Sequence, residues 1–509
     1  MIVNVRTVLR TITHCLGNSA YKRKVRKYPE KFFTLEQLCE KAELDTNIFD
    51  ADVKQKLGQP VSYVCRFGDR FTKNCICVQL YADSDDLMKQ AMRKGALVCV
   101  TTHKIDGVPC IVADNTASVY AQMCGIIRET AKTKTTVIAG SIGKTTTKKM
   151  VEAVYRQAFN TMCDSGNDNI LDSVGSICQH LPEESEQYIA ELSEDTPGLI
   201  AEMSRITKPD VAILTAIDKS HIEGYGSEEN IFNEFRSVTK YMRADGICIM
   251  SLDQPNAESL ILDRKVVYVS VENREADFSA SDIVVDNEGL SFNVVEKASG
   301  NIYPVRLINV YAQHNVTTAL LAFAAGVVSG ISYDKIVAGL QKYRATGIRQ
   351  NVFKAGKTIV YADCYNAVAK SIRSAIEGAQ KIPVCGKRIA VLGDVAEAGS
   401  YTESTHREIV DIVNTSSFDV VMTFGKNLKK ALANMQTREN LVVLTFKNQK
   451  EMNKALKKQV KSGDLVLFKA SHSGKLSASI ASTFPVAYAY QAIKYYTPRL
   501  MWHFKVILN

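Results

Sequence analysis

Residues 137–147 constrain the fold of this chain more than any other segment. A short apolar run leads into a loop with two glycines, and an apolar stripe at helical spacing, with Met150 and Val154 among its members, follows the loop. Glycines let backbone N–H groups approach a phosphate, and the N-terminus of a helix attracts anions. A strand that enters such a loop and leaves it as a helix predicts a phosphate-binding α/β unit.

Two side chains of this loop have the chemistry that a nucleotide requires. Lys144 would neutralise the β- and γ-phosphates, and the hydroxyl of Thr145 would hold Mg²⁺. The general Walker pattern has one more glycine, where this chain has Ile138. A turn that merely tolerates glycines is the alternative, but lysine and threonine both follow the second glycine at a helix start. The residues of the loop predicted to bind ATP are Gly140, Ser141, Ile142, Gly143, Lys144, Thr145 and Thr146.

Apolar runs that alternate with helical patterns divide the chain into three α/β regions. We predict a small N-terminal domain at 1–130, a central P-loop domain with a mostly parallel sheet at 131–345, and a Rossmann-like C-terminal domain at 346–509. A polar linker is predicted at 131–135, and a β-rich appendage at 283–306. The predicted strands are 75–80, 97–101, 109–112, 136–139, 188–191, 211–215, 247–250, 266–271, 359–362, 388–392, 420–424, 441–446 and 465–468.

Composition narrows the classes of protein that this chain can be. With 23% charged and 46% hydrophobic residues among 509, it has the balance of a soluble globular protein. A formal charge of +9 suits an anionic small substrate or a nucleotide, and weak contact with nucleic acid stays open. Thirteen cysteines without a CxxC pair indicate reduced thiols and no zinc ribbon. The longest apolar stretch, 319–331, is too short for a membrane span, and we predict a cytoplasmic protein.

Five further segments combine with the phosphate loop into a recognisable set. They are Ser165-Gly-Asn-Asp-Asn169, the strand-end acid Glu191, His221-Ile-Glu-Gly-Tyr-Gly-Ser227, Asp363-Cys-Tyr-Asn-Ala367, and Leu392-Gly-Asp-Val-Ala-Glu-Ala-Gly399 with His406 after it. In this order they resemble the Mur ligase family, whose members use ATP to join an amino acid or dipeptide to a carboxylate. Within the family, the resemblance is greatest to the members that add D-alanyl-D-alanine to a peptidoglycan precursor. The family has the same short phosphate loop.

The resemblance implies roles for residues outside the loop. Glu191 would bind Mg²⁺, and His221 would bind a second metal ion, so that Lys144, Glu191 and His221 form the predicted catalytic set and Thr145, Glu191 and His221 the metal set. Both Glu191 and His221 follow predicted strands, and ligands gather at this edge of a parallel sheet. Alone, each would be an ordinary strand-end acid or a structural histidine. The further residues implied to contact ATP are Asn315, Arg349, Asp363 and Asn366.

This chain also departs from the family pattern. Phe235 stands where the family usually has a lysine that is carbamylated by CO₂ and helps to hold Mg²⁺. Thr318 replaces an asparagine that contacts adenine, and Val368 and Ala369 replace an Asn-Pro pair. The N-terminal region shows neither the Asp-Ser-Arg segment nor the Asp-Gly-His loop that serve the uridine-nucleotide substrate. We therefore expect a Mur-type ligase diverted to another acid, with the standard muramyl precursor as the less favoured substrate.

The sequence thus predicts an ATP- and Mg²⁺-dependent ligase that acts through an acyl phosphate on a small-molecule carboxylate and amine. Two alternatives stay open. One is a P-loop nucleotide-binding protein that has lost ligation and serves as a regulator or partner-binding module, which the missing lysine at Phe235 favours. The other is a nucleic-acid-dependent ATPase, which only the net charge and the basic stretch 21–31 suggest. We expect neither nucleic acid nor a membrane among the partners.

Overall fold

The computed structural model describes residues 33–67, 73–164, 169–217, 222–254, 260, 262–345, 347–365, 367–395, 401–433, 437–471 and 474–491. These residues form three β-sheets, most of whose strands are parallel, with helices packed against them. The predicted α/β fold class is therefore confirmed. Among the described residues, no helix combines the length and the apolar character needed to cross a membrane. The basic stretch 21–31 lies outside these residues.

The first sheet has four parallel strands in the order β1-β2-β3-β4. Its strands and helices are β1 Val64–Cys65, β2 Ile76–Val78, β3 Val98–Thr101, β4 Cys110–Val112, α1 Leu35–Lys41, α2 Ala51–Lys54, α3 Asp85–Arg93 and α4 Thr116–Arg128. Cysteines from all four strands stand side by side in register: Cys65, Cys77, Cys99 and Cys110. The cysteines thus have a spatial pattern that their spacing along the chain did not show, and all four are buried free thiols.

The second sheet has nine strands in the order β13-β12-β11-β10-β9-β8-β5-β7-β6. They are β5 Lys134–Ala139, β6 Thr161–Cys163, β7 Gln187–Glu191, β8 Val211–Leu214, β9 Ile247–Ser251, β10 Lys265–Ser270, β11 Phe278–Val285, β12 Gly289–Glu296 and β13 Ile302–Ile308. The last three form an antiparallel appendage, and the other neighbouring strands are parallel. The linker predicted at 131–135 was wrong at its end, because Lys134 and Thr135 already pair in β5.

Helices cover both faces of this sheet. They are α5 Lys144–Tyr155, α6 Leu171–Cys178, α7 Leu199–Thr207, α8 Ile222–Tyr225, α9 Glu228–Arg236, α10 Asn315–Val328 and α11 Tyr333–Lys342. Helix α5 buries its stripe of Met150, Val151 and Val154 in the same cluster as Ile138 of β5 and Leu320 of α10. This packing fixes the start of α5 directly after β5. In the sheet, β5 lies between β7 and β8.

The third sheet has six strands in the order β14-β15-β19-β16-β17-β18, parallel except for the edge pair β14 and β15. Its elements are β14 Asn351–Ala355, β15 Thr358–Asp363, β16 Arg388–Leu392, β17 Val420–Thr423, β18 Val442–Thr445, β19 Leu465–Lys469, α12 Ala369–Lys381, α13 Thr402–Asn414, α14 Lys426–Ala433, α15 Gln449–Gln459 and α16 Leu476–Thr483. The four central strands are apolar and buried, as a sheet covered on both faces requires.

Candidate active site

The loop between β5 and α5 has the backbone of a phosphate cradle. Gly143 has φ +92° and directly precedes α5, so a residue with a side chain would be strained there. Gly140 has φ +139°, and a Cβ atom at this position would lie only 2.1 Å from Oγ1 of Thr215. The backbone N–H groups of Ser141 and Ile142 donate to the carbonyl oxygen of Ala216 at 2.9 and 3.1 Å, which ties the loop to the end of β8.

Lys144, the first residue of α5, points back into this loop. Its Nζ atom donates to the carbonyl oxygen of Gly140 and to both carboxylate oxygens of Glu194, at 2.9 Å for Oε1 and 2.7 Å for Oε2. Both side chains of the ion pair are largely buried. Glu194 lies three residues beyond the end of β7. The lysine predicted to bind phosphate thus begins α5 at the glycine loop, and its ammonium group is paired with the carboxylate of Glu194.

Glu191, the last residue of β7, lies beside Thr145. The hydroxyl of Thr145 donates to the Glu191 carboxylate, with 3.0 and 3.2 Å to its two oxygens. Nδ2 of Asn169 lies 3.3 Å from Oε1, and Nζ of Lys148 lies 3.1 Å from Oε2. Burial raises the pKa of Glu191, but the positive charges of Lys148, Lys144 and Arg349 outweigh burial and hold this pKa below its ordinary value. The carboxylate is therefore ionised at neutral pH.

Lys148 lies one turn beyond Lys144 on α5 and is fully buried. Burial lowers the pKa of Lys148, but the carboxylates of Glu191 and Asp164 overcome this effect, and the pKa is above its ordinary value. Asp164 accepts hydrogen bonds from the hydroxyl of Tyr188 at 2.6 Å and from the backbone N–H of Glu191 at 2.9 Å. Burial raises the pKa of Asp164 to about 6, against the opposing charge of Lys148. This buried network fixes the end of β7.

The start of α10 and the segment before β14 form a second polar group. Nδ2 of Asn315 donates to Oε1 of Gln350 at 2.9 Å and to the carbonyl oxygen of Ala312 at 3.0 Å. Nε2 of His314 lies 2.9 Å from Nε2 of Gln350, and Nδ1 lies 2.6 Å from the hydroxyl of Ser374 on α12. This network joins the start of α10, which packs against the second sheet, to α12, which packs against the third sheet.

Charged residues of the third sheet and of the segment before β14 lie near this junction. The carboxylate of Asp363, at the end of β15, forms an ion pair with Nζ of Lys469, the last residue of β19, at 2.8 Å. Both side chains are buried. The guanidinium of Arg349 stacks on the ring of Tyr365, 3.3 Å from its centroid. The positive charge of Arg349 also contributes to the lowered pKa of Glu191. Arg349 thus lies within electrostatic range of the phosphate loop.

Several predicted residues fall outside the described part of the chain. These are His221, Asn366 and the first four residues of the motif that ends at Asn169. Their proposed roles stay predictions. In the motif that begins at Leu392, residues 396–399 also lie outside, but Asp394 accepts the backbone N–H groups of Asn427 and Leu428 at the start of α14. His406 is buried, and its Nε2 accepts the backbone N–H of Val395. These contacts of Asp394 and His406 hold the turn after β16 together.

Sequence reasoning missed Lys148 and Glu194. A signal for Lys148 exists, because it lies four residues after Lys144 and therefore on the same face of α5. No comparable signal marks Glu194. Its pairing with Lys144 depends on the path of the chain after β7, which no local pattern predicts.

The N-terminal unit contributes a further contact to this part of the molecule. Arg66, just after β1, forms a bidentate pair with Asp83 at 2.8 and 2.7 Å, and its guanidinium lies 5.0 Å from the ring centroid of Tyr81. The hydroxyl of Tyr81 donates to Oδ1 of Asp172 on α6 at 3.1 Å.

Two models of known protein domains match this chain. Residues 138–326 match the model of the Mur ligase middle domain, and residues 348–472 match that of the Mur ligase, glutamate ligase domain. Together the two matches cover well over half of the chain. The chain belongs to the Mur ligase family. The sites on which the resemblance rested, from the phosphate loop to the end of β19, lie within these matches.

Relatives of this Mur ligase include the UDP-N-acetylmuramoyl-tripeptide–D-alanyl-D-alanine ligase of Bacillus subtilis. The two are 28% identical over 429 residues, which cover 83% of this chain and 90% of the relative. The crystal structure of MurF from Acinetobacter baumannii matches with a TM-score of 0.75 at 21% identity, covering 90% of this chain and all of that one. MurF ligase from Thermotoga maritima in complex with ADP gives a TM-score of 0.71 at 20% identity, covering 86% and 99%. The structural matches establish a shared fold.

The position at which the resemblance implies a carbamylated lysine is occupied here by a phenylalanine, which cannot carry a carbamate. Phe235 of α9 is fully buried in the hydrophobic core. Its neighbour Arg236 pairs with Glu229 at 2.7 Å and with Asn233, both on the same helix. The preceding residue, Glu234, accepts the backbone N–H groups of Gly198 and Ile200 around the start of α7.

We expect nucleotide turnover by this Mur ligase to be independent of CO₂, because Phe235 leaves no amine at this position to carbamylate. Phosphate release should be the same in bicarbonate-depleted buffer with and without added bicarbonate. A matched variant, Phe235→Lys, tests the position itself, although burying an amine in this core costs stability. Stimulation of the unmodified chain by bicarbonate would show that a different lysine is carbamylated.

Proposed function

We propose that this chain is an ATP-dependent ligase that joins an amine to a carboxylate through an acyl phosphate. The observation that carries the proposal is the convergence of Lys144, Thr145 and Glu191 on one glycine loop at the carboxyl edge of the central parallel sheet. This edge is where open α/β sheets bind ligands. Membership of the Mur ligase family supports the same reaction class.

In the first step, a carboxylate oxygen of the substrate attacks the γ-phosphorus of ATP. The new P–O bond forms as the bond to the β,γ-bridging oxygen breaks, which gives an acyl phosphate and ADP. Lys144 and the backbone N–H groups around Gly143 would stabilise the negative charge of the transferring phosphoryl group. Activation is needed because a free carboxylate is a poor acyl donor at neutral pH.

In the second step, the nitrogen of a neutral amine attacks the acyl carbon. The C–N bond forms, phosphate leaves with the electron pair of the C–O bond, and the amine loses one proton. Water competes with the amine for the acyl phosphate, so a closed site is needed. The contacts of His314 with Ser374 and of Asn315 with Gln350 join the second and third sheets beside the site, and they support closure over the nucleotide.

The residues around Thr145 fit a magnesium ion. A hydroxyl and an ionised carboxylate, those of Thr145 and Glu191, lie within 3.2 Å of each other. Mg²⁺ prefers oxygen ligands and takes most of its shell from water and phosphates. The described residues contain no group of three or more His, Cys, Asp or Glu side chains that could hold a metal ion, and a magnesium site of this kind needs none. Bound Mg²⁺ would supply positive charge at the β- and γ-phosphates.

The relatives suggest the first substrates to test. Several curated relatives are named UDP-N-acetylmuramoyl-tripeptide–D-alanyl-D-alanine ligase. We propose a peptidoglycan precursor or a related acid as the carboxylate and a dipeptide as the amine. The sequence favours the related acid, because the N-terminal region shows neither of the segments that serve the uridine-nucleotide substrate in the family. In that region Arg66 is already paired with Asp83.

The experiment that tests this function is phosphate release from ATP and Mg²⁺ across a panel of acids and amines. The panel includes the UDP-muramyl tripeptide with D-alanyl-D-alanine, other acids with dipeptides, and each component alone. Ligation predicts phosphate release only when an acid and an amine are both present, with one amide product formed per phosphate. ATP binding without any turnover would favour the regulator, and stimulation by DNA or RNA alone would favour the nucleic-acid-dependent ATPase.

A further inference from the structure

The ion pair between Lys144 and Glu194 has a consequence for nucleotide binding. An ammonium group has three N–H donors. Here the ammonium of Lys144 contacts the carbonyl oxygen of Gly140 and both carboxylate oxygens of Glu194. These contacts hold the charge of Lys144 against the carboxylate of Glu194. A phosphate that binds Lys144 must therefore compete with this carboxylate for the charge.

The structure around Glu194 holds its carboxylate in this place. The hydroxyl of Tyr225 donates to the backbone carbonyl of Glu194 at 2.8 Å. The backbone N–H of Ser193 donates to the carbonyl of Asn169 at 3.0 Å, and that of Leu192 to the carbonyl of Ile138 at 2.9 Å. The segment after β7 is thus tied to β5, to α8 and to the loop before α6. These contacts hold the backbone of Glu194, and the ion pair with Lys144 holds its carboxylate.

We propose that Glu194 is a built-in competitor for the phosphate site, which holds Lys144 until a nucleotide displaces it. The inference rests on the proposed nucleotide site and adds a residue that controls its affinity. The pair is buried, so its charges interact more strongly than a surface pair does. If the pair is closed in about nine of ten molecules, the apparent Kd for a nucleotide rises about tenfold.

Displacement also changes the charge of the site. When Lys144 turns to the phosphates, the carboxylate of Glu194 remains close to them, and like charges repel. A divalent cation bound with the nucleotide offsets this repulsion. Competition by Glu194 is therefore strongest against nucleotide without metal, and it makes binding of the magnesium complex preferable to binding of free nucleotide.

The test is calorimetric binding of ADP to the full chain in EDTA. Glu194→Gln keeps the size of the side chain and removes its charge, and it is expected to lower the Kd for ADP at least tenfold. With Mg²⁺ present the gain should be smaller. Glu152→Gln is the matched control: it removes one partly buried carboxylate of α5 that pairs with Lys149 and Arg156 instead. Its Kd for ADP should stay within twofold of the unmodified chain.

A second measurement separates competition from a structural role. Glu194→Gln should lower the thermal midpoint of the nucleotide-free protein, because Lys144 loses a buried partner, while it tightens ADP binding. Glu194→Asp, which withdraws the charge by one methylene, should show a smaller gain in the same direction. Unchanged or weaker ADP binding by both variants would overturn the inference. If the Glu194 variants bind Mg-ADP more than tenfold more weakly than the unmodified chain does, Glu194 is a metal ligand. This result would also overturn the inference.

Failure of this inference is distinguishable from failure of the proposed function. If the unmodified chain binds no ADP with or without Mg²⁺, then the nucleotide site itself is wrong. If the chain binds ADP and Glu194→Gln does not bind it more tightly, only the role of Glu194 is wrong.

Discussion

Replacing Lys144 with alanine is expected to lower ATP turnover by roughly 1000-fold or more, with the fold retained. One well-placed group that stabilises developing charge contributes about 100- to 1000-fold to a rate, and Lys144 carries a full charge at the phosphates. The substitution also removes the cation that pairs with Glu194 and leaves the negative charge of this carboxylate uncompensated beside the phosphate site. We therefore expect loss of both nucleotide affinity and turnover. Phosphate release and ADP calorimetry measure the two effects.

The matched control for this substitution is Lys149→Ala. Lys149 lies on the same helix, is partly exposed and pairs with Glu152 at 2.7 Å, away from the loop. Its turnover should stay within about threefold of the unmodified chain, because exposed ion pairs contribute little. Circular dichroism of both variants should match that of the unmodified chain. Phosphate release by Lys144→Ala at a near-normal rate would remove Lys144 from the proposed mechanism.

Most strands were predictable because long apolar runs must be buried. The prediction at 388–392 coincides with β16, Arg388–Leu392, and strands such as β5 and β7 differ from their predictions by one or two residues. The strands β1, β6 and β14 were not predicted. Two of them have only two or three residues, and such short segments show no periodicity. Their place in the sheets depends on pairing with distant strands.

The phosphate loop was predictable for a different reason, because its glycines, lysine and threonine are contiguous in the chain. Glu191 was predictable as a strand-end acid once its sheet was recognised. The ion pair between Lys144 and Glu194 was not predictable. The two residues are fifty residues apart and meet only through the order of β5 and β7 in the sheet. The same holds for Asn315 and Gln350, which meet across the junction of the second and third sheets.

Lys148 shows how stability and function are coupled in this site. A lysine without exposed surface can remain charged only if carboxylates compensate it, and Glu191 lies 3.1 Å from its Nζ. In return, Lys148 helps to keep Glu191 ionised and in place beside Thr145. The side chain proposed to bind magnesium is thus held by a fully buried cation. We therefore expect Lys148 to act as a positioning residue, distinct from Lys144.

Lys148→Met is expected to lower the free energy of unfolding by about 3–5 kcal/mol, the usual cost of removing one partner from a buried ion pair. Methionine fills most of the volume, so the loss reports the uncompensated charges of Glu191 and Asp164. Urea denaturation followed by circular dichroism measures it. Lys149→Met, which changes a partly exposed lysine on the same helix, should cost less than about 1 kcal/mol.

The pH dependence of this loss has a definite sign. Without Lys148, the pKa values of Asp164 and Glu191 in the native state should rise above their values in the unfolded state. At any pH between the native and the unfolded values, the native state then binds more protons than the unfolded state. Stability of the variant then increases as the pH falls through that interval. The deficit of Lys148→Met relative to the unmodified chain should be smaller at pH 5 than at pH 8. Adding Asp164→Asn and Glu191→Gln to Lys148→Met should recover most of the loss at pH 8, because no buried charge is then left unpaired. A deficit that is independent of pH and unaffected by these two neutral substitutions would mean that Lys148 acts by packing alone.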